Sequence, residues 1–237
     1  MASDLPSTQE SNPGLRPGYP IELKLEQQLV VFIGGGRVAR RKLGALYASG
    51  AQIKVIDPAK DLNLSPHRQL TWIERAYQPG DLDGARLVFA ATNDTALNTQ
   101  VAADCARRGI LCSRVDAGLS SVFTLPAHLY RAPLHLSVSS SGQCPAIAAL
   151  LRDHLATQLS PAWQTLAQLA AVIRQKVLTE KLNISYNQQV FLRMLNAEVL
   201  KHIEQADTAA LNHLLFENFG SGFSLSELKF SLPEGST

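Results

Sequence analysis

Three consecutive glycines after an apolar run have the spacing of a phosphate-binding loop. Gly34 and Gly36 follow residues 28–33, which are apolar after Gln28, and Ala39 comes three positions after Gly36. In the G-x-G-x-x-G/A pattern the first glycine makes a tight turn and the second lets a pyrophosphate approach the backbone. The third small residue lets the following helix pack closely on the strand. The start of that helix offers free N–H groups to an anion. We therefore predict a dinucleotide-binding loop composed of Gly34, Gly35, Gly36, Arg37, Val38 and Ala39.

A carboxylate after the next predicted strand bears on which dinucleotide would bind. Asp57 follows the run Gln52–Ile56 and lies about 20 residues after Gly36. An acid at that place binds ribose hydroxyls, which favours NAD over NADP. A turn-capping role before Pro58 is the alternative.

Polar residues follow two further strands at the same predicted sheet edge. Thr92 and Asn93 come after residues 86–91, and we predict that they contact the cofactor. Asp116 ends a fifth predicted strand, with Arg114 two residues earlier on the same strand face. A carboxylate there could act as a general base while the arginine holds an anionic substrate. The position of Asp116 alone fits a turn-capping role equally well.

Other common catalytic patterns are missing from the sequence. No tyrosine is followed four residues later by a lysine, and there is no H-E-x-x-H motif or metal-spaced Cys/His cluster. No nucleophile elbow supports Ser-His-Asp chemistry. We therefore predict no metal ligands.

The elements that must position these residues alternate between strands and helices in the first half of the chain. Strands are predicted at residues 28–33, 52–56, 70–73, 86–91 and 110–115. Such alternation indicates βαβ units and a Rossmann-like parallel sheet. Two further short strands, 122–125 and 134–138, are predicted, and they do not continue the alternation of strands and helices. Helices are then predicted from Pro145 to 159, and over 160–181, 187–204 and 208–218.

We predict an α/β fold in which a helical C-terminal domain follows the parallel sheet. The five segments are a flexible arm (1–19), an NAD-binding Rossmann domain (20–118), a β link (119–145), a helical domain (146–219) and a tail (220–237).

Composition excludes several classes of protein. Of 237 residues, 46% are hydrophobic and 18% charged, and the formal net charge is +2. The chain is too apolar for a disordered protein, and it has no apolar run long enough to span a membrane. It also lacks the excess of basic residues that is typical of a nucleic-acid-binding protein. The N-terminus has no signal-peptide pattern, so we expect a cytoplasmic protein with no nucleic-acid or membrane partner.

An ordered series of motifs carries a family resemblance. Beyond the glycine loop, which continues to Arg41-Lys42, the series comprises Ala90-Ala91-Thr92-Asn93-Asp94 with Asn98, Val115-Asp116, Phe123-x-x-Pro126, Arg131-Ala132-Pro133-Leu134, Val138-Ser139-Ser140-x-Gly142-x-x-Pro145 and Leu150-Leu151-Arg152. With these motifs the sequence resembles the precorrin-2 dehydrogenase/sirohydrochlorin ferrochelatase family, the NAD-dependent module of siroheme synthase. The similarity runs from Tyr19 to about Pro161, and more loosely to about Phe219.

The resemblance implies an activity and roles for particular residues. Precorrin-2 would lose a hydride to NAD and become sirohydrochlorin, and ferrous iron would then be inserted as a substrate to give siroheme. Asp116 would be the catalytic residue in both steps, and Ser140 would lie beside the tetrapyrrole. Arg114 and Arg131 become candidates for binding the carboxylates of this anionic substrate. Further candidates are Arg40, Arg41 and Lys42. Family members are homodimers that join through the β link and the C-terminal helices.

Two alternatives stay open. The chain could be a dehydrogenase without chelatase activity. It could also be a non-catalytic NAD-sensing regulatory domain whose helical part binds a partner. The glycine loop and Asp57 satisfy the second alternative, which does not account for Asp116, Ser140 and Pro145 occurring in family order.

Overall fold

The structure of the chain, a computed structural model, describes residues 18–59, 66–116, 121–184 and 186–233. Most of the predicted arm and the predicted boundary at residue 118 lie outside the described residues. The chain divides into two compact units. The first comprises residues up to Leu125 together with Ser141–Cys144, and the second comprises Pro126–Ser140 together with the residues from Pro145 onward.

A five-stranded parallel sheet forms the centre of the first unit and confirms the predicted Rossmann-like fold. Its strands, in the spatial order β3-β2-β1-β4-β5, are β1 (Leu29–Ile33), β2 (Gln52–Ile56), β3 (Leu70–Ile73), β4 (Ala85–Ala90) and β5 (Leu111–Arg114). The helices are α1 (Arg37–Ala48) and α2 (Thr95–Arg107). The strand order reverses between β1 and β4, so the sheet has its topological switch point there.

Apolar residues cover both faces of this sheet. Phe32 and Val30 of β1 pack in a cluster with Leu43 of α1, whereas Val31 packs in a second cluster with Val101 of α2. Continuous apolar strands of this kind are typical of parallel sheets that are buried on both faces. The two helices therefore hold the loops at the carboxyl ends of the strands from opposite sides of the sheet.

The second unit contains an antiparallel hairpin, β6 (Ala127–Arg131) and β7 (Leu134–Val138), against which α3 (Pro145–Gln158) packs. The prediction of a strand at 122–125 was wrong, because the partner of β7 is β6. Leu129 of β6 pairs with Leu136 of β7, and the residues on either side of Leu129 are exposed. Val122 and Leu125, in contrast, are both exposed.

Four more helices complete the second unit. They are α4 (Ala162–Thr179), α5 (Gln188–Asn196), α6 (Val199–Glu204) and α7 (Thr208–Phe219). The helix predicted over 187–204 is divided at Glu198, whose φ of +56° is left-handed. Residues of the predicted tail also enter the core, since Phe223 and Leu228 are buried there.

Among the described helices, none is both long and apolar enough to cross a membrane.

Candidate functional site

The glycine loop joins β1 to α1 at the carboxyl edge of the sheet. Gly34 has a φ of +97°, and a Cβ on it would lie 2.5 Å from the Ala91 carbonyl oxygen. A Cβ on Gly35 would lie 2.1 Å from the indole ring of Trp72. No atom lies within 4 Å of a Cβ on Gly36. The first two glycines thus permit close packing inside the protein, and the third leaves space beside the start of α1.

The start of α1 has the features of an anion site. Its N-cap residue, Gly36, makes no side-chain hydrogen bond, and its first turn holds no acidic residue. Arg37 and Val38 are exposed, while Ala39 is buried against the sheet. The unpaired N–H groups of a helix start carry a partial positive charge. The loop therefore fits the pyrophosphate of a dinucleotide.

Asp57 lies at the end of β2 and contacts the glycine loop directly. Its Oδ2 accepts a hydrogen bond of 2.6 Å from the Gly35 N–H, and its Oδ1 accepts one of 2.8 Å from the Ala59 N–H. The second bond is the turn-capping contact foreseen as the alternative, and it coexists with the contact to the loop. Binding of a ribose by Asp57 stays a prediction.

The loop after β4 is organised by the buried side chain of Asn98. The Asn98 Oδ1 accepts from the Thr92 N–H at 3.1 Å and from the Thr92 hydroxyl at 2.8 Å, and its Nδ2 donates to the Thr92 carbonyl at 3.1 Å. Asn93 is exposed beside this cluster. Asp94 caps α2 by accepting from the backbone N–H groups of Ala96 and Leu97. The sequence motif included Asn98, but only the tertiary contacts reveal that it organises this loop.

Asp116 and Arg114 form an ion pair just beyond β5. The Arg114 guanidinium donates two hydrogen bonds, of 3.1 and 3.2 Å, to the two carboxylate oxygens. Both side chains are about one fifth exposed, at 22% for Asp116 and 21% for Arg114. The bonds from Arg114, helped by one from Asn98, lower the pKa of Asp116 to about 2. The structure thus presents an ionised, fixed carboxylate at the carboxyl end of β5.

The other two predicted substrate contacts lie in the second unit. Arg131 is exposed at the end of β6, and Ser140 is half-buried just after β7. Their roles toward a substrate stay predictions.

Sequence reasoning did not identify Trp72, whose indole ring packs against Gly35. Trp72 lies on β3 opposite Val55 of β2, and its Nε1 is buried with no hydrogen-bond partner among the described residues. A lone tryptophan in a four-residue strand gave no sign of this role. The contact supports the loop and places a fluorescent ring beside it.

Comparisons with known proteins agree with this geometry. The family model described as "Putative NAD(P)-binding" matches residues 21–127. A siroheme synthase of Chromobacterium violaceum is 32% identical over 207 residues, covering 86% of this chain and 44% of the relative. A siroheme synthase of Photorhabdus laumondii is 37% identical over 161 residues, covering 67% of this chain and 34% of the relative. The chain therefore spans less than half the length of these curated relatives.

A solved structure shares the fold. It is "SirC, precorrin-2 dehydrogenase", with a TM-score of 0.57 and 23% identity, covering 78% of this chain and 89% of that protein. The glycine loop and the similarity to the siroheme synthases point to the same kind of site. Over residues 21–127 the chain matches the NAD(P)-binding family model, and it is similar to part of each of these siroheme synthases.

Proposed function

We propose that the chain catalyses the NAD-dependent dehydrogenation of precorrin-2 to sirohydrochlorin in siroheme biosynthesis. The observation that carries the proposal is the ionised Asp116 carboxylate at the carboxyl end of β5, on the sheet edge that bears the glycine loop. Open α/β sheets bind their ligands at this edge. The substrate class comes from the names of the siroheme synthase relatives and of the structural neighbour SirC.

The first part of the mechanism is cofactor binding. The loop Gly34–Ala39 and the start of α1 would hold the pyrophosphate, and the backbone of Thr92 and Asn93 would line the other side of the switch point. A nicotinamide bound there in its oxidised form would supply the hydride acceptor. The preference for NAD rests on Asp57, because its carboxylate can bind ribose hydroxyls and repels a 2′-phosphate.

The second part is proton transfer to Asp116. Precorrin-2 loses one hydrogen together with two electrons, as a hydride. One proton must also leave. The Asp116 carboxylate takes this proton and later releases it to water. A carboxylate with a pKa of about 2 is a weak base. The transfer therefore becomes favourable only as the departing hydride makes the substrate proton acidic. Arg114 and Asn98 hold the carboxylate in one orientation throughout.

Iron insertion is the second proposed step, and the siroheme synthase relatives support it. Ferrous iron enters here as a substrate. Two pyrrole N–H protons must leave as the metal enters, and the Asp116 carboxylate is available to take one of them while water takes the other. The step is tested by adding Fe²⁺ to sirohydrochlorin with and without the protein. Siroheme formation no faster than the uncatalysed rate would assign the chain as a dehydrogenase alone.

We also propose that the chain works as a homodimer. Helix α3 buries Ala148 but leaves Ile147, Leu150 and Leu151 exposed, with Leu150 at 65%. A second copy of the chain could cover this apolar face, as the family resemblance implies.

A cytoplasmic location is proposed from the cysteines. Cys105 and Cys112 are free, buried and hydrogen-bonded to each other through their side chains. Two neighbouring thiols persist in a reducing compartment, whereas an oxidising one favours disulfides.

The activity is tested directly by mixing the protein with NAD⁺ and enzymatically made precorrin-2 without oxygen and following NADH absorbance. Formation of NADH and sirohydrochlorin in equal amounts is expected. A protein that binds NAD⁺ but neither binds nor oxidises the tetrapyrrole would instead be the NAD-sensing regulatory domain.

Replacing the proposed base should stop catalysis without affecting the cofactor. Asp116→Asn removes the proton acceptor, so we expect kcat to fall by about 100- to 10,000-fold while the Kd for NAD⁺ changes less than about twofold. Stopped-flow NADH absorbance and a fluorescence titration measure the two quantities. Asp83→Asn is the control, because Asp83 is also paired with an arginine, Arg108 at 2.6 Å. Normal turnover by Asp116→Asn would remove Asp116 from the mechanism.

Removing Arg114 should raise the pKa of Asp116. Without its two hydrogen bonds the carboxyl should titrate nearer its ordinary value of about 3.9. The base is active when ionised, so the acid limb of kcat/KM should move to higher pH in Arg114→Met. Carbon-13 NMR of the Asp116 carboxyl follows the titration directly, with Arg108→Met as the control. An unchanged titration would contradict the role given to the ion pair.

Neutralising Asp57 should weaken discrimination between the two dinucleotides. Asp57→Asn keeps an oxygen that can accept from the Gly35 N–H but removes the charge that repels a 2′-phosphate. We expect the wild-type protein to bind NAD⁺ at least about tenfold more tightly than NADP⁺, a difference of about 1.4 kcal/mol. The variant should lose most of that difference in calorimetric titrations. Tighter binding of NADP⁺ by the wild-type protein would reverse the cofactor assignment.

A charge on α3 should dissociate the proposed dimer. Leu150→Glu places a carboxylate in the apolar face, so light scattering after size exclusion should show a change from twice the chain mass to the chain mass. Ile21→Glu, at an exposed apolar residue of the first unit, is the control that should stay dimeric. A wild-type protein with the mass of a single chain would contradict the dimer proposal.

A further inference from the structure

Lys42 of α1 places a cation against the aromatic core of the first unit. Its side chain is half-buried, and its Nζ lies 5.4 Å from the centre of the Phe89 ring. Phe89 stacks on Phe32 with ring centres 4.7 Å apart and meets Phe123 edge to face. The ammonium group is therefore partly removed from water.

This cation has no carboxylate partner among the described residues. Burial and the neighbouring Arg41 cation both lower the pKa of Lys42. A contact with an aromatic face compensates only part of the cost of removing an ammonium group from water. A partly desolvated ammonium group is normally stabilised by a counter-ion, and at Lys42 an anionic ligand could supply it.

Another lysine of the chain shows what the paired arrangement looks like. Lys176 of α4 also lies over a phenylalanine ring, with its Nζ 5.5 Å from the centre of Phe223. Its Nζ is also 3.3 Å from a carboxylate oxygen of Glu180, one helical turn further on. The same cation–π contact thus has a protein counter-ion at Lys176 and none at Lys42.

The ring that Lys42 contacts lies on one of the two strands that flank the switch point of the sheet. Phe32 and Phe89 are directly opposite each other on β1 and β4, each one residue before the end of its strand. Helical side chains lean toward the start of their helix, and α1 starts at the carboxyl edge of the sheet. The Lys42 ammonium is therefore directed toward the crevice where open α/β sheets bind ligands.

We propose that Lys42 is an anion-binding residue of the active site, whose ammonium group receives an anionic oxygen of a bound ligand. The inference rests on the proposed function, which supplies two such oxygens: a carboxylate of the tetrapyrrole and a phosphate of the dinucleotide. The ligand provides the counter-ion that the fold omits, and Phe89 holds the ammonium in place until it arrives.

The test compares Lys42→Met, which keeps an unbranched apolar side chain, with Lys42→Arg, which keeps the charge. Lys176→Met is the matched control. The Kd for NAD⁺ and for inorganic pyrophosphate is measured by calorimetry, and the KM for precorrin-2 at saturating NAD⁺. A charged hydrogen bond of ordinary strength corresponds to a loss of about 10- to 100-fold in the affected constant. Lys42→Arg should restore most of the loss, and Lys176→Met should change none of the three constants.

The two ligand sources give different results. If a substrate carboxylate is bound, the KM for precorrin-2 rises in Lys42→Met while the Kd for NAD⁺ is unchanged. If a phosphate is bound, the Kd values for NAD⁺ and pyrophosphate rise instead. In either case the ligand-free Lys42→Met protein should have a higher Tm than the wild type, because a partly desolvated cation without a counter-ion has been removed.

The proposal fails if all three constants stay within about twofold of the wild-type values in Lys42→Met. It also fails if the ligand-free variant has a lower Tm than wild type and Lys42→Arg restores only that Tm, because Lys42 would then be structural. A wild-type protein that binds NAD⁺ but does not oxidise precorrin-2 would overturn the proposed function instead. The calorimetric titrations would then decide alone whether Lys42 contacts an anion.

Discussion

Gly34 lies so close to the Ala91 carbonyl that a Cβ would stand 2.5 Å from its oxygen, and its positive φ turns the chain into α1. This approach brings the loop after β1 against the loop after β4. Thr92, the next residue after Ala91, starts the hydrogen-bonded cluster around Asn98, and Asn98 also bonds to Asp116. The phosphate loop and the carboxylate after β5 thus belong to one connected network, and any side chain at position 34 would disturb both.

The charges around this network are of two kinds. Asp116 is held by Arg114 and Asn98, so its position and ionisation are set before any ligand binds, as electrostatic preorganisation requires. Lys42 is held only by an aromatic face and lacks a counter-ion among the described residues. The two groups belong to different faces of the sheet, that of α2 for Asp116 and that of α1 for Lys42. A site with one satisfied anion and one unsatisfied cation is suited to an anionic substrate that must lose a proton.

Local sequence patterns predicted the parallel sheet well and the second unit less well. The buried strands of the sheet are continuous apolar runs between turn residues, and their pattern is visible in any short window. The hairpin is different, because β6 is defined by its pairing with β7 across the Ala132-Pro133 turn, and the stretch 122–125 is more apolar than β6 and has the stronger strand pattern. The break at Glu198 likewise has no glycine or proline to mark it, and the burial of Phe223 and Leu228 depends on helices far away in the chain.

Several features could be predicted from the amino-acid sequence because each depends on residues close together in the chain: the glycine loop, the sheet that carries it, the carboxylates at two strand ends and the family resemblance. The partners of individual side chains, in contrast, became visible in the folded protein. Asp57 contacts Gly35, Trp72 packs against the same glycine, and Asn98 joins Thr92 to Asp116. Lys42 is half-buried against the Phe89 ring, and no carboxylate among the described residues is paired with it. Burial and pairing arise when distant segments meet, and a linear pattern contains no measure of either.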